Sequence, residues 1–305
     1  MTSVEAGMGK ARDLGIALRP GLEPEQQRVE AELIRIVQDT ANADAQFDAL
    51  PFTQGGRILS MDYARHLSPS YQSVSERLCF TPSTRNAAAA YAKDRLERTL
   101  ASSSVPPSER RLILMSGGPG SGKTTVIRGL LERALPDARI VFDCTSSNLP
   151  TSKRTLARAQ EAGWSVHLVY VYCPYERAVR RVLERAARDG RYVGLGPGRS
   201  MSKISLASQQ VFHELRTTLG DVAGLRFLAV DMGATNGDPL PFTAATAVSP
   251  DGPCWHPPVE TLLQIEREAI ARFVRDGGSE TIVELSLRGM TGRTAAQRDA
   301  LQPGL

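Results

Sequence analysis

Gly117-Gly118-Pro119-Gly120-Ser121-Gly122-Lys123-Thr124-Thr125 has the spacing G-x-x-x-x-G-K-T, that of a phosphate-binding loop. Its flanks agree with that reading. Leu112-Ile113-Leu114-Met115 before it is a short apolar run, as expected of a buried strand. Val126 to Arg133 after it has the apolar spacing of a helix. Glycines let backbone N–H groups turn inward around a polyphosphate, and the following helix points its positive end at the same anion. Lys123 is expected to reach the β and γ phosphates, and the Thr124 hydroxyl to hold Mg²⁺. Gly117 through Thr125 are thus the expected binding residues for ATP or GTP.

Working outward, further strands and helices alternate with this unit. Strands are expected at 138–143, 166–173 and 225–231, and helices at 153–163, 175–189, 205–219 and 259–275. Alternation of this kind predicts an α/β fold: a three-layer sandwich of the phosphate-loop NTPase type around a mainly parallel sheet. Upstream, Pro24 to Gln38 is periodic, with Val29, Leu33, Ile34 and Val37 on one face. Residues 40–56 are expected to be a loop, 57–61 a short strand, 63–71 a broken helical turn, and 86–100 an alanine-rich helix. Residues 1–24 are expected to be a flexible tail and 276–305 a C-terminal extension. The kinase-like domain then covers 25–275, with its nucleotide-binding core at 110–235. Residues 233–258, rich in glycine, proline and small polar residues, predict a long loop.

Composition narrows the class. The chain has 305 residues, 41% of them apolar, enough for a sizeable core. No run is long enough to span a membrane, and the first nine residues lack a secretion-signal pattern. Cys79, Cys144, Cys173 and Cys254 show no metal spacing, and buried thiols in a reducing cytoplasm are the default. The net charge of +4 suits an anionic small substrate as well as nucleic acid. The cations are mostly arginine, which favours forked phosphate contacts.

Two features add chemistry to the loop. Asp143 ends an apolar strand, where a carboxylate can hold Mg²⁺ directly or through water; an ordinary strand-end acid is the plainer reading. Arg177, Arg180, Arg181, Arg185, Arg188, Arg191 and Arg199 crowd one helix and the segment after it. Some must form a solvated face, but phosphoryl transfer needs cations around the moving group. Gly190 to Gly198 is glycine-rich and suits a lid hinge. Little aromatic interleaving argues against nucleic acid as the partner of this charge. His66, His167, His213 and His256 form no triad. Trp164 and Trp255 are expected to be anchors, and Asp231 to Asn236 is either a contact for the nucleotide base or, the plainer reading, a polar turn after a strand.

With these residues in view, the chain resembles the zeta toxin family of phosphate-loop kinases. The matching stretches are Gly117–Thr125, then Asp143-Cys144-Thr145 where many relatives carry acid-Gly-Thr. Gly163–Val171 follows the form G-W-x-V-x-L-x-Y-V, and Arg185–Val193 the form R-A-x-x-x-G-R-Y-V. The resemblance covers roughly residues 55–235. It implies a cytoplasmic kinase of a small nucleotide-like substrate, with UDP-N-acetylglucosamine the family's best-known acceptor. It also implies that Arg185 and Arg191 clamp the phosphates and that Thr145 lies on the substrate. A kinase of this kind acting as a toxin, or delivered into another cell as an effector, would be expected to have an antitoxin or chaperone partner. One departure stands out. The family places an I-D-x-D-x-x-R strand with the catalytic aspartate just after the phosphate-loop helix, where this chain has no room. Ile58 to Arg65, followed by Pro69-Ser70-Tyr71, looks like that piece placed before the loop within 55–100. On this permuted reading Asp62 is the catalytic base and Arg65 points at the acceptor; otherwise 57–71 belongs to an unrelated helical cap. The rival functions are a polynucleotide or nucleoside kinase, and a nucleotide-binding switch without an acceptor.

Overall fold

The computed structural model describes residues 12–196, 201–233 and 256–291. Five parallel strands form one sheet in the order β1-β3-β2-β4-β5: β1 (Ile58–Ser60), β2 (Arg111–Ser116), β3 (Ile140–Asp143), β4 (Ser165–Tyr172) and β5 (Leu225–Asp231). The expected α/β class is therefore observed. The chain divides into two compact units, residues 1–104 with 140–142, and residues 105–139 with 143–305.

The first unit is mostly helical. α1 (Pro24–Gln38) starts at a capping box, in which Glu23 and Gln26 exchange side-chain and backbone bonds, and it buries Val29, Leu33 and Val37. α2 (Thr40–Ala49) occupies residues expected to be loop. It buries only Ala43 and Phe47, so it lacks an apolar period to read. What holds it is the Asp39 cap on the Asn42 N–H, and ties from α4 (Val74–Leu100) through Asp44 and Asp48. α3 (Met61–Ala64) follows β1 directly, with the Ser60 hydroxyl accepting from the Asp62 N–H at 3.2 Å. A short 3₁₀ turn over Arg65–Leu67 completes the turn expected at 63–71. α4 begins at Val74, well before the expected Asn86, and runs through Pro82. A Ser73–Glu76 capping box starts it. Proline deprives the helix of one N–H, and Thr81 and Thr84 hydroxyls bond back to the Arg77 and Phe80 carbonyls around that point. Residues 12–22, expected to be part of a flexible tail, form no helix or strand but are tied to the helices. Arg12 pairs with Asp94 at 3.1 Å, and the Arg19 N–H donates to the buried Glu30.

The second unit carries the phosphate loop. β2, β4 and β5 pair in parallel, with Ser116 level with Tyr170 and Tyr172 level with Asp231. Leu112, Ile113, Leu114 and Met115 are buried, as are Val166, Leu168, Val169, Tyr170 and Val171. Such continuous apolar runs are what a strand covered on both faces requires. α5 (Lys123–Gly129) follows the loop and passes into a π-helical turn over Leu130–Ala134, instead of the uniform helix expected to Arg133. α6 (Leu149–Glu161) starts four residues earlier than expected, because Asn148 caps the Thr151 N–H and Pro150 fits the first turn. α7 (Tyr175–Asp189) has the expected bounds, while α8 begins at Met201 and runs to Leu219. α9 (Val259–Arg275) also matches, and α10 (Glu280–Thr291) lies in the expected C-terminal extension. Arg199, Pro197, Gly198, Cys254, Trp255 and most of the 233–258 loop fall outside the described residues.

Candidate functional site

The chain leaves β2 at Ser116 and turns through Gly117 to Gly122 before α5 begins. Two neighbouring helices set the shape of this turn. A side chain at Gly118 would put its Cβ 2.1 Å from the Ser205 Oγ of α8. At Gly120, whose φ is +72°, it would meet the Ala178 carbonyl of α7 at 2.4 Å. Backbone can approach this closely only where there is no Cβ. Gly117 and Gly118 are buried, Pro119 and Gly120 half-buried, and Thr124 and Thr125 exposed at the head of α5.

Lys123 folds back over the loop. Its ammonium donates to the Gly117 carbonyl at 3.0 Å and to the Gly118 carbonyl at 3.4 Å. The Ser121 hydroxyl is buried and has no hydrogen-bond partner among the described residues. A buried donor of this kind is costly unless it is taken up, and a phosphate oxygen could take it up.

The strand-end segment 143–147 is stapled beside the loop. The Thr145 carbonyl accepts from the Gly117 N–H and from the Ser116 hydroxyl, both at 3.3 Å. The Met115 carbonyl accepts from the Ser146 hydroxyl and the Cys144 thiol, each at 3.2 Å. The Thr145 hydroxyl itself meets that of Ser147 at 3.0 Å. Burial pushes the Cys144 thiol up to about 11; the Asp143 charge adds to that shift and the Lys123 charge opposes it. Asp143 and Lys123 therefore lie within electrostatic reach of one sulfur. Among the described residues no three His, Cys, Asp or Glu gather as a metal cage. Mg²⁺ keeps several waters and takes few protein ligands; of the two expected ligands, Thr124 lies in the first turn of α5 and Asp143 ends β3.

The arginines of α7 separate by face. Arg177, Arg181 and Arg185 recur every four residues, which places them in one stripe. Arg177 donates to the Met232 carbonyl at 2.9 Å, and Arg181 donates to the Cys173 sulfur at 3.6 Å. A Cβ on Gly122 would lie 3.5 Å from Arg181 Nη1 and 3.3 Å from Met232, so the stripe runs past the end of the phosphate loop. Arg185 is half-buried one turn further on. Arg180 pairs with Glu184 on an exposed face. Asp189 is held below the usual carboxylate range, first by the Arg188 hydrogen bond, with Arg191 and Arg185 adding their charges. Arg191 approaches Asp189 at 3.7 Å and is 26% exposed, whereas Arg188 is 73% exposed. Ser205, which shapes the loop from α8, carries no motif and was not legible in the sequence.

Asp62 and Arg65 belong to the first unit. Asp62 sits in the first turn of α3, directly after β1, with its side chain 38% exposed. Arg65 is turned inward: its side chain is 6% exposed, with Nη1 donating to the Thr81 carbonyl at 2.6 Å and Nε 3.5 Å from the Asp62 carboxylate. It holds Asp62 and α4 together where the sequence suggested a group pointing at an acceptor.

Among the described residues no helix is long and apolar enough to cross a membrane. The chain matches none of the curated proteins. Residues 137–217 match the family model described as Zeta toxin. That segment contains Asp143, Thr145, Arg185, Arg191 and Ser205, and the family is kinase-like and phosphate-loop-bearing, with an activity that depends on a nucleotide. Over residues 137–217 the chain is thus similar to the zeta toxin family, with the phosphate loop lying upstream of the matched segment.

Proposed function

We propose that this protein is a kinase that transfers the γ-phosphoryl group of ATP or GTP to a hydroxyl of a small nucleotide-like substrate. A nucleotide sugar of the UDP-N-acetylglucosamine type is the acceptor the resemblance suggests. The observation that carries the reading is Lys123 lying over the Gly117 and Gly118 carbonyls, beside an arginine stripe. Catalysis of phosphoryl transfer is mostly positioning and charge neutralisation. Lys123 supplies a movable cation, Arg185 and Arg191 supply forked ones, and the loop N–H groups fix the polyphosphate. Mg²⁺, held by Thr124 and Asp143, would neutralise phosphate charge. Thr145, one residue beyond Cys144, is the proposed contact on the substrate side.

Asp62 is the proposed base. The acceptor hydroxyl gives its proton to the Asp62 carboxylate as its oxygen bonds to the γ-phosphorus, and the bond from phosphorus to the bridging oxygen breaks to release the nucleoside diphosphate. Arg65, paired with Asp62, keeps that carboxylate oriented. A kinase of this kind would act as a toxin or delivered effector in the cytoplasm, and an antitoxin or chaperone would restrain it.

The test is mass spectrometry of a metabolite extract incubated with the protein and Mg-ATP or Mg-GTP. A nucleotide-like metabolite that gains one phosphoryl group is expected. Transfer only to RNA or DNA ends would replace this reading with that of a polynucleotide kinase, and nucleotide binding without any transfer would leave a switch.

A further inference from the structure

α9 lies outside the segment that matches the family, yet it carries a carboxylate at the centre of the second unit. Glu266 is fully buried. One carboxylate oxygen accepts from the Tyr175 hydroxyl, and the other accepts from the Gly196 N–H at 2.6 Å. The backbone and hydroxyl of Ser202 lie close enough to act on it as well, lowering its carboxyl. Burial and the Glu266 charge push the Tyr175 phenol up, so it keeps its proton and donates. Burial raises the Glu266 carboxyl as well, while these donors act in the opposite direction.

The three groups it gathers lie at the start of α7, at the start of α8 and in the segment that follows α7. Tyr175 is the first residue of α7, and three residues on, Ala178 presses its carbonyl on Gly120. Ser202 lies in the first turn of α8, and three residues on, Ser205 presses on Gly118. Residues three apart share a helix face, so Glu266 holds the same faces that shape the loop. Gly196 closes the described part of the segment that carries Arg191. That segment is pinned twice more: the Met201 N–H donates to the Gly194 carbonyl at 3.0 Å, and the Tyr192 hydroxyl meets Ser286 of α10 at 3.2 Å.

We infer that Glu266 is a positioning residue for phosphoryl transfer, setting the spacing of α7 and α8 around the phosphate loop and fixing the segment that carries Arg191. The inference rests on the kinase reading for its kinetic consequence and on Glu266 geometry alone for its structural one. A buried acceptor serving this many donors specifies one arrangement, because every alternative leaves a donor unpaired.

The test uses the full chain with Glu266→Gln, Glu266→Ala and Tyr175→Phe. Amide exchange is followed over 190–196 and 201–205, with and without a non-hydrolysable Mg-ATP analogue, beside steady-state kinetics. Wild type should gain protection in both stretches on binding the analogue, and the Glu266 variants should not. Displacing catalytic groups by about 1 Å costs about a hundredfold, so Glu266→Ala should lose about that much kcat while its nucleotide KM changes by less than about threefold. Glu266→Gln keeps the shape and one acceptor, and should recover about tenfold of that loss. Tyr175→Phe removes a single donor and keeps the carboxylate, which covers the case in which Glu266→Ala does not fold. Equal analogue-induced protection in wild type and variants would overturn the inference whatever the acceptor proves to be, as would looser exchange with unchanged kcat. A wild type that binds nucleotide and transfers nothing would instead defeat the kinase reading, with the exchange data still deciding the role of Glu266.

Discussion

Two clusters of arginine in this molecule look alike in the sequence and differ in their partners. In the first unit, Arg95 and Arg98 of α4 meet Asp44 and Asp48 of α2, and Arg98 and Arg12 both reach Asp94. Each cation there faces carboxylates, and the Tyr91 hydroxyl and the Phe47 ring complete the packing. In the second unit, Arg177 of α7 donates to the Met232 carbonyl and Arg181 to the Cys173 sulfur, at the end of the phosphate loop. Arg185, Arg188 and Arg191 all act on the one carboxylate of Asp189. A network balanced in charge ties helices together. Arginines beside a glycine-lined loop suit an anion that arrives from solution. Arginine number alone does not separate the two clusters; what stands beside each does, the carboxylates of a neighbouring helix in one case and the glycine-lined loop in the other.

Substitutions can break or sharpen that contrast. Lys123→Ala removes the cation from the mouth of the loop and should lower phosphoryl transfer by about a thousandfold or more. Its melting temperature should stay near wild type, since the ammonium is held only by two loop carbonyls. Near-normal turnover would remove the loop from the site.

Asp62→Asn keeps size and most hydrogen bonds but loses the proton-accepting charge, and should cost about a hundredfold in kcat. Nucleotide affinity, measured by calorimetry, should be almost unchanged. Normal rates would assign Asp62 to structure, with Arg65 as its partner.

Arg185→Ala and Arg191→Ala should each lower kcat by about thirtyfold, as expected for a forked cation on a transferring group. Arg188→Ala, on the exposed side of the same turn, should change kcat by less than about twofold. The reverse order would shift the alignment of α7 by one face.

In the balanced network, Arg98→Ala should act on stability and leave the kinetics of folded protein alone. Its guanidinium contacts Asp44 at 2.7 and 3.0 Å but is 28% exposed, so solvent screening limits the loss to about 1–2 kcal/mol in denaturant unfolding. A kinetic defect here larger than that of Arg185→Ala would reverse the contrast between the two clusters.

Legibility followed the physical origin of each element. α7, β5 and α9 were readable to their bounds, because their apolar residues recur at one period and their ends carry Pro174, Gly190 or Pro258. α2 and the first half of α4 were not. α2 shows too little apolar surface to produce a period, and α4 contains Pro82, which ordinarily ends a helix. Both persist through long-range ties, from Arg95 and Arg98 in one case and from Arg65 on Thr81 in the other.

From the residues alone came the phosphate loop, the alternation that makes a parallel sheet, and the candidacy of Asp143, while the family resemblance singled out Arg185 and Arg191. These are local statements, since glycine spacing and apolar period act within a few residues. Only the tertiary structure decided that Ser205 and Ala178 shape the loop, that Arg65 is buried against Asp62, and that Glu266 gathers Tyr175, Gly196 and Ser202. Those contacts join residues far apart in the chain, and a buried polar group leaves no periodic signal. Its partners are set by packing, which demands that each donor be satisfied once water has been excluded.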